Sequence, residues 1–236
     1  MSALGKTEDG LLVRPHDARL LYVLAHGAGA GMRHHFLAQA ADVFAGRGIA
    51  TYRYEFPYML AGKSRPDSPG VAAAAVRAAV VAASHRAPEL PLIAGGKSFG
   101  GRMTSQAQAS QPMPGVRGLV FLGFPLHPPG RPGTTRAEHL TSVDVPMLFL
   151  QGARDEFAQL DLLQEVVRKL GDRATLHLIE EGDHSFKVPK RRGKTETDVM
   201  KELAETIQQW AARVLMRGEP DSSADINDAS RSVRPK

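Results

Sequence analysis

The chain of 236 residues is long enough for one hydrophobic core, and its 42% hydrophobic and 23% charged residues are ordinary for a globular domain. No apolar run approaches the roughly 20 residues that a membrane-spanning helix needs, so we expect no membrane span. Residues 1–10 are polar and lack the apolar centre of a secretory signal, which favours a cytoplasmic location. The absence of cysteine excludes disulfides, thiolate metal sites and a cysteine nucleophile.

Apolar runs and segments of helical periodicity alternate along the chain. The predicted strands are residues 11–14, 20–25, 49–54, 91–95, 116–124, 145–151 and 175–179. The predicted helices are residues 34–45, 71–84, 99–109, 159–170 and 196–217. Proline and glycine predict an extended loop over 55–70 and irregular backbone over 125–144. We expect one domain over residues 11–217, a flexible N-terminus over 1–10 and a disordered polar tail over 218–236.

This alternation predicts an α/β fold: a mostly parallel, doubly wound sheet with helices on both faces and no large cap domain. Ligands bind to such sheets at the carboxyl ends of the strands. His26, Ser98, Asp155 and His184 each follow a predicted strand. We therefore expect these four residues to converge at one edge of the sheet.

Ser98 is the candidate nucleophile because glycines bracket it where an apolar strand meets a helix. Residues 96–100 fit the pattern G-x-S-x-G, in which Gly96 and Gly100 make room for a tight strand-to-helix turn. A tight turn without catalysis is the alternative interpretation of so short a motif. The GKS sequence also matches the end of a phosphate-binding loop, but that motif needs a glycine where Pro91 stands, which removes this interpretation.

Two further residues complete a candidate catalytic triad with Ser98. A serine hydroxyl becomes nucleophilic when an imidazole takes its proton and a carboxylate orients that imidazole. Asp155 and His184 each come soon after a predicted strand, and the chain order Ser, Asp, His is that of α/β-hydrolases. Asp144 lies at the opposite end of its strand. The alternatives are that Asp155 caps the following helix and that His184 is an ordinary loop histidine.

Acyl transfer also needs backbone N–H donors for the developing oxyanion. Phe99, directly after the serine, supplies one donor in this pattern, and the glycine-rich loop after strand 20–25 supplies the other. Ala28 is the expected second donor, with Gly27 as the alternative. We expect His26 to brace this loop by hydrogen bonding and to help form the site without catalysing.

With this loop, the G-x-S-x-G turn, the post-strand Asp and the late His, the chain resembles the α/β-hydrolase superfamily across residues 10–215. Residues 53–58, 96–103 and 124–130 are similar to a small lidless subgroup related to dienelactone-hydrolase-like proteins and to the hydrolase-like domain of a subunit of the non-specific lethal chromatin complex. The resemblance implies the fold, and the chromatin relative implies that the scaffold can serve in protein interaction. Dienelactone hydrolases use a cysteine nucleophile, which this chain lacks, so their activity is not implied.

Several residues beside the predicted site have two interpretations. The candidate substrate contacts are Phe56, Tyr58, Met59 and His127. The aromatic and methionine side chains are otherwise explained by packing, and the histidine by fixing its proline-rich loop. Lys97 and Arg102 flank the serine turn and either pair with a carboxylate such as Glu55 or bind an anionic substrate.

The formal charge of +5 lies partly in the basic run 187–194, which is typical of a solvated loop but also suits anionic substrates, nucleic acid or lipid headgroups. We expect no nucleic-acid partner. The histidines lack metal-ligand spacing and the glycines lack the dinucleotide-binding order, so no metal or cofactor is implied.

The sequence thus predicts a cofactor-independent serine hydrolase of the carboxylesterase type, acting on a small-molecule ester through an acyl-enzyme. Thioesterase, peptidase and lactonase activities remain open because a fold does not determine a substrate. The alternative from another class is an interaction module that keeps the hydrolase fold without needing catalysis. The sequence does not determine the oligomeric state.

Overall fold

The structure, a computed structural model, describes residues 10–189 and 193–216. Residues 1–9 of the expected flexible N-terminus, the expected disordered tail and residues 190–192 of the basic run lie outside these described residues. Within the described ranges, no helix combines the length and the apolar character that crossing a bilayer requires.

One sheet of seven strands forms the centre of the described chain. The strands are β1 (Leu11–Val13), β2 (Leu20–Ala25), β3 (Ile49–Tyr54), β4 (Leu92–Lys97), β5 (Val116–Leu122), β6 (Met147–Gly152) and β7 (Ala174–Ile179). Their spatial order is β1-β3-β2-β4-β5-β6-β7, with β1 antiparallel to β3 and all other neighbours parallel. The predicted α/β fold with a mostly parallel sheet is confirmed.

Helices cover both faces of this sheet. They are α1 (His35–Ala45), α2 (Pro57–Leu60), α3 (Pro69–Arg86), α4 (Phe99–Ser110), α5 (Leu160–Leu170) and α6 (Glu196–Met216), with short 3-10 helices at Thr135–Ser142 and Gly171–Arg173. The five predicted helices correspond to α1, α3, α4, α5 and α6.

The continuous apolar run of β2 is explained by burial on both faces, since all six of its residues are buried. Leu21 faces the core layer that holds Val76 of α3. Tyr22 faces the opposite layer, which holds Phe44 of α1 and Trp210 of α6. The sheet therefore separates two hydrophobic layers, and every central strand is covered.

Local chemistry explains where the structure departs from the expected boundaries. The short helix α2 lies inside the loop predicted over 55–70, because Pro57 stands at a first helical position, where its fixed φ suits a helix and its missing N–H costs nothing. Strand β5 ends at Leu122 and not at 124, because Gly123 adopts a φ of 72° and turns the chain.

The segment 125–144, which was expected to be irregular, contains one short 3-10 helix, Thr135–Ser142. A 3-10 helix is a common connector between larger elements. No large cap domain covers the carboxyl edge of the sheet in the described chain, as the prolines and glycines of this segment predict.

Candidate active site

Ser98 lies at the turn between β4 and α4, with φ 49° and ψ −115°. Such a backbone conformation costs a non-glycine residue about 1–3 kcal/mol and persists where the surrounding structure imposes it. A Cβ atom on Gly96 would lie 2.3 Å from the carbonyl oxygen of Ala25, and one on Gly100 would lie 2.6 Å from that of His26. Both glycines are therefore required for β4 and α4 to approach the end of β2.

Ser98, His184 and Asp155 form a continuous hydrogen-bonded chain. The Nε2 atom of His184 lies 2.9 Å from Ser98 Oγ, and its Nδ1 atom lies 2.7 Å from Asp155 Oδ2. The parallel strands β4, β6 and β7 bring the three residues to one edge of the sheet, although 86 positions separate the serine from the histidine.

The Asp155 side chain is fully buried and accepts hydrogen bonds on both oxygens. Its Oδ1 accepts from the backbone N–H of Phe157 at 2.8 Å, and its Oδ2 accepts from Gln151 Nε2 at 2.5 Å as well as from His184. A carboxylate accepts and does not donate, so Nδ1 of His184 carries the proton in this arrangement. Its Nε2 is then free to accept from the hydroxyl of Ser98.

The backbone N–H groups of Ala28 and Phe99, beside Ser98, have no acceptor among the described residues, and neither does that of Gly27. Phe99 is the first residue of α4, where helix N–H groups lack intrahelical partners and favour negative charge. Ala28 belongs to the loop after β2 and borders the same cavity as Ser98. Gly27 also lines that cavity and remains the alternative donor.

His26 is fully buried and bridges two segments of backbone. Its Nδ1 lies 2.7 Å from the Gly27 carbonyl, while its Nε2 accepts from the N–H of Phe56 at 3.1 Å. Burial lowers the pKa of His26 more strongly than its hydrogen bond to Gly27 and the charge of Glu55 raise it. A neutral imidazole that donates through Nδ1 fits both contacts, and His26 contacts the loop backbone and not Ser98.

Lys97 belongs to the same turn as the serine, but its ammonium group extends toward the histidine loop. Its Nζ donates to the carbonyl oxygen of His184 at 2.7 Å and lies near the rings of Phe36 and Phe186. Burial lowers the pKa of Lys97 to about 8, against the opposing effects of Asp155 and another nearby aspartate. Lys97 thus ties the turn that carries Ser98 to the loop that carries His184.

Neither cation that flanks the serine turn pairs with Glu55 among the described residues. Glu55 Oε1 accepts from the backbone N–H of Met32 at 2.9 Å, while its Oε2 is buried 3.2 Å from His26 Nε2 without a hydrogen bond. Glu55 is therefore held by the backbone of Met32 and pairs with neither cation. Arg102 instead borders the cavity in front of Ser98.

The cavity in front of Ser98 has two lobes. The large lobe has a volume of about 460 Å³ and the small lobe about 330 Å³, and Ser98, Ala28 and Phe157 line both. Apolar walls of the large lobe come from Phe36, Leu37, Phe186, Val199 and Met200. In the described chain, no group of three His, Asp or Glu side chains is placed to hold a metal ion.

The four candidate substrate contacts line neither lobe. Phe56 is buried and packs edge-on against the ring of Phe99. The hydroxyl of Tyr58 accepts from the N–H of Gly29, which supports the loop after β2, and Met59 lies near this loop. His127 is buried, with its Nε2 accepting from the N–H of Gln159 at 2.8 Å. These side chains therefore pack against or hydrogen-bond to residues near the site and do not line the cavity.

Two residues beside the triad were not singled out in the sequence. The ring of Phe157 lies against the imidazole of His184, with centroids 4.3 Å apart and planes tilted by 34°, and Gln151 donates to Asp155. A polar residue inside the apolar strand 145–151 was a usable signal for Gln151. No periodicity or motif marks Phe157, because its contact arises from the way two loops meet.

A comparison with known families defines the class to which this fold and site belong. Residues 18–212 match the model of the alpha/beta hydrolase domain, which is most of the chain. The protein therefore belongs to the alpha/beta hydrolase family.

Solved structures from three bacteria are similar to this chain. An alpha-beta serine hydrolase homologue from Coxiella burnetii is 18% identical with a TM-score of 0.66, over 85% of this chain and 89% of that one. A dienelactone hydrolase from Anabaena variabilis is 21% identical with a TM-score of 0.66, over 86% and 90%. A serine hydrolase without lid from Xanthomonas campestris is 19% identical with a TM-score of 0.63, over 89% of each chain. At these identities the likeness concerns the fold.

Proposed function

We propose that this protein is a serine hydrolase that cleaves a carboxylic ester through an acyl-enzyme intermediate. The observation that carries the proposal is the hydrogen-bonded chain from Ser98 through His184 to the buried Asp155. It combines a nucleophile, a general base and an orienting carboxylate within hydrogen-bond reach of one another. The cavity in front of Ser98 gives a small substrate access to the hydroxyl.

In the first half-reaction, Ser98 Oγ attacks the ester carbonyl carbon while His184 Nε2 takes the hydroxyl proton. The resulting imidazolium is stabilised by Asp155, and the oxyanion accepts hydrogen bonds from the N–H groups of Phe99 and Ala28. The carbon–oxygen bond to the leaving group then breaks, and the leaving alkoxide takes the proton from His184. An alcohol departs and the acyl group remains on Ser98.

In the second half-reaction, water attacks the acyl carbon and His184 takes one of its protons. The bond to Ser98 Oγ then breaks, and Oγ recovers a proton from His184, which releases the carboxylic acid. A thioester, an amide or a lactone would use the same residues, because the triad does not select the leaving group. A panel of ester, thioester, lactone and peptide substrates therefore decides between these classes.

The competing proposal is an interaction module that does not need catalysis. It rests on the resemblance of three sequence segments to a lidless subgroup that is related to a chromatin-complex subunit. The hydrogen-bonded triad favours the enzyme, because a binding surface has no chemical need for a buried carboxylate that orients an imidazole toward a serine.

Labelling with a fluorophosphonate probe separates the two proposals, since the probe reacts with an activated serine. We expect the wild-type chain to label at Ser98, and Ser98→Ala to lose both labelling and hydrolysis of short p-nitrophenyl esters while its circular dichroism spectrum is retained. Ser84→Ala is the matched control, because the Oγ of Ser84 donates to the Val81 carbonyl on α3. Retained ester hydrolysis in Ser98→Ala would contradict the assignment.

A further inference from the structure

The small lobe of the cavity brings two arginines close to the proposed nucleophile. Arg102 and Arg136 line this lobe together with Ser98 and Phe99. We propose that these two guanidinium groups bind an anionic group, of the carboxylate type, carried by the substrate on one side of its scissile ester bond. This inference rests on the proposed function and adds a substrate class to it.

The two arginines come from different elements of the fold. Arg102 lies one helical turn after the serine, and its backbone N–H donates to the Ser98 carbonyl at 3.1 Å. Arg136 belongs to the 3-10 helix Thr135–Ser142, which follows β5. Because the two side chains line one lobe of about 330 Å³ together with Ser98, an anionic group bound there would lie a few atoms from the ester carbon that Ser98 attacks.

No carboxylate of the described chain lies within ion-pair distance of either arginine. The Nε atom of Arg102 is buried without an acceptor, which is a costly arrangement for a charged group. Asp67 also borders the lobe, but its Oδ2 already accepts from the backbone N–H of Tyr58 at 2.9 Å. The two arginines outnumber this one carboxylate, so the lobe has one positive charge in excess.

Two pKa values at the lobe are lowered, first by burial and second by the arginine charges. Burial, and then the like charge of Arg136, lower the pKa of Arg102. Burial and Arg102 lower the pKa of His139 to about 4, so this imidazole is neutral near pH 7, with its Nε2 2.7 Å from Ser105 Oγ. An anion held between the two guanidinium groups would relieve their repulsion and make charge-assisted hydrogen bonds.

The large lobe has two cations and one carboxylate as well, but it has no guanidinium group. Its lining includes Lys97, whose Nζ donates to the carbonyl of His184, and Lys187 together with Glu196. The remaining walls are mostly apolar, so we assign the anionic part of the substrate to the small lobe and the apolar part to the large one.

The test compares matched ester pairs that differ by one carboxylate. On the acyl side the pair is p-nitrophenyl butyrate and mono-p-nitrophenyl glutarate, and on the alcohol side it is phenyl acetate and 3-acetoxybenzoate. For each pair we measure the ratio of kcat/KM for the anionic ester to kcat/KM for the neutral ester. We expect each single variant, Arg136→Gln and Arg102→Gln, to lower this ratio in one of the two ester pairs. The decrease should be about 10-fold or more, because the variant loses a hydrogen bond to a charged group.

Arg117→Gln is the matched control, because Arg117 is exposed in β5 and does not line the cavity. Its ratios should equal those of the wild type. The inference is overturned if both cavity variants keep the wild-type ratio in both pairs. The pair in which the ratio falls identifies the acyl or the alcohol side as the anionic one.

Failure of the proposed function has a different outcome, since no ester is then hydrolysed and Ser98 is not labelled by a fluorophosphonate. In that case we measure the affinity of glutarate by calorimetry for Ser98→Ala and for the double variant that also carries Arg136→Gln. Binding that weakens about 10-fold or more in the double variant supports the arginine site. Absent or equal binding rejects it.

Discussion

Replacing Asp155 by asparagine changes one atom of the site and removes its buried negative charge. Three donors point at this carboxylate: His184 Nδ1 at 2.7 Å, Gln151 Nε2 at 2.5 Å and the N–H of Phe157 at 2.8 Å. An asparagine has one acceptor oxygen and one donor NH₂ group. At least one of the three donors must then face the NH₂ group.

Each orientation of the new amide has its own consequence. With NH₂ on the side of His184, the imidazole must accept at Nδ1 and carry its proton on Nε2, so it cannot take the proton of Ser98. With NH₂ on the side of Phe157, the tautomer is kept but a buried N–H loses its acceptor, which costs about 1–3 kcal/mol. In both cases the imidazolium loses its counter-charge, so we expect kcat to fall about 10⁴-fold, or about 5 kcal/mol of transition-state stabilisation.

The assay is the kcat of the best ester in the substrate panel, with thermal denaturation of the same sample as the measure of folding. Asp144→Asn is the matched control: Asp144 accepts from Gln108 Nε2 at 3.1 Å, and it precedes β6 where Asp155 follows it. The control should keep its kcat, since an amide oxygen can accept the same hydrogen bond. A kcat for Asp155→Asn within 10-fold of the wild type would refute the assigned role.

Two further substitutions test the turn around the serine. Gly100→Ala places a Cβ atom 2.6 Å from a backbone carbonyl oxygen, so we expect it to lose about 1–3 kcal/mol of unfolding free energy and to be less active. Gly133→Ala is the control, because no atom lies within 4 Å of its new Cβ, and it should melt at the wild-type temperature. Equal melting temperatures of the two variants would contradict the packing argument. Because burial lowers the pKa of Lys97 to about 8, the unfolded chain binds more protons between about pH 8 and 10, and this residue makes stability rise with pH in that window. Denaturant titrations at about pH 7.5 and pH 9.5 should show a rise in the wild type that exceeds the rise in Lys97→Met by about 2 kcal/mol. Equal rises would mean that Lys97 titrates as it does in water.

The strand and helix order was predictable from the sequence because the central strands are buried on both faces. Burial of this kind selects continuous apolar runs, such as that of β2, and the helices between them keep helical periodicity. Boundaries were less predictable, since single residues set them: Pro57 starts α2 inside a predicted loop, and Gly123 ends β5 before its apolar run is finished.

Ser98, Asp155 and His184 were identifiable because each follows a strand and parallel strands end at one edge of a sheet. The prediction of Phe56 and His127 as substrate contacts was less accurate, because a position near the site along the chain does not determine which way a side chain faces. Both proved to be buried supports that line neither lobe of the cavity.

The sequence by itself thus determined the fold class and the residues that meet at the carboxyl edge, because periodicity and strand-end positions are local properties of the chain. Tertiary structure alone decided that Lys97 donates to the His184 carbonyl, that the ring of Phe157 lies against the imidazole, and that Arg102 and Arg136 line one lobe. These contacts join segments that lie far apart in sequence, and their geometry depends on how loops and helices pack over a completed sheet.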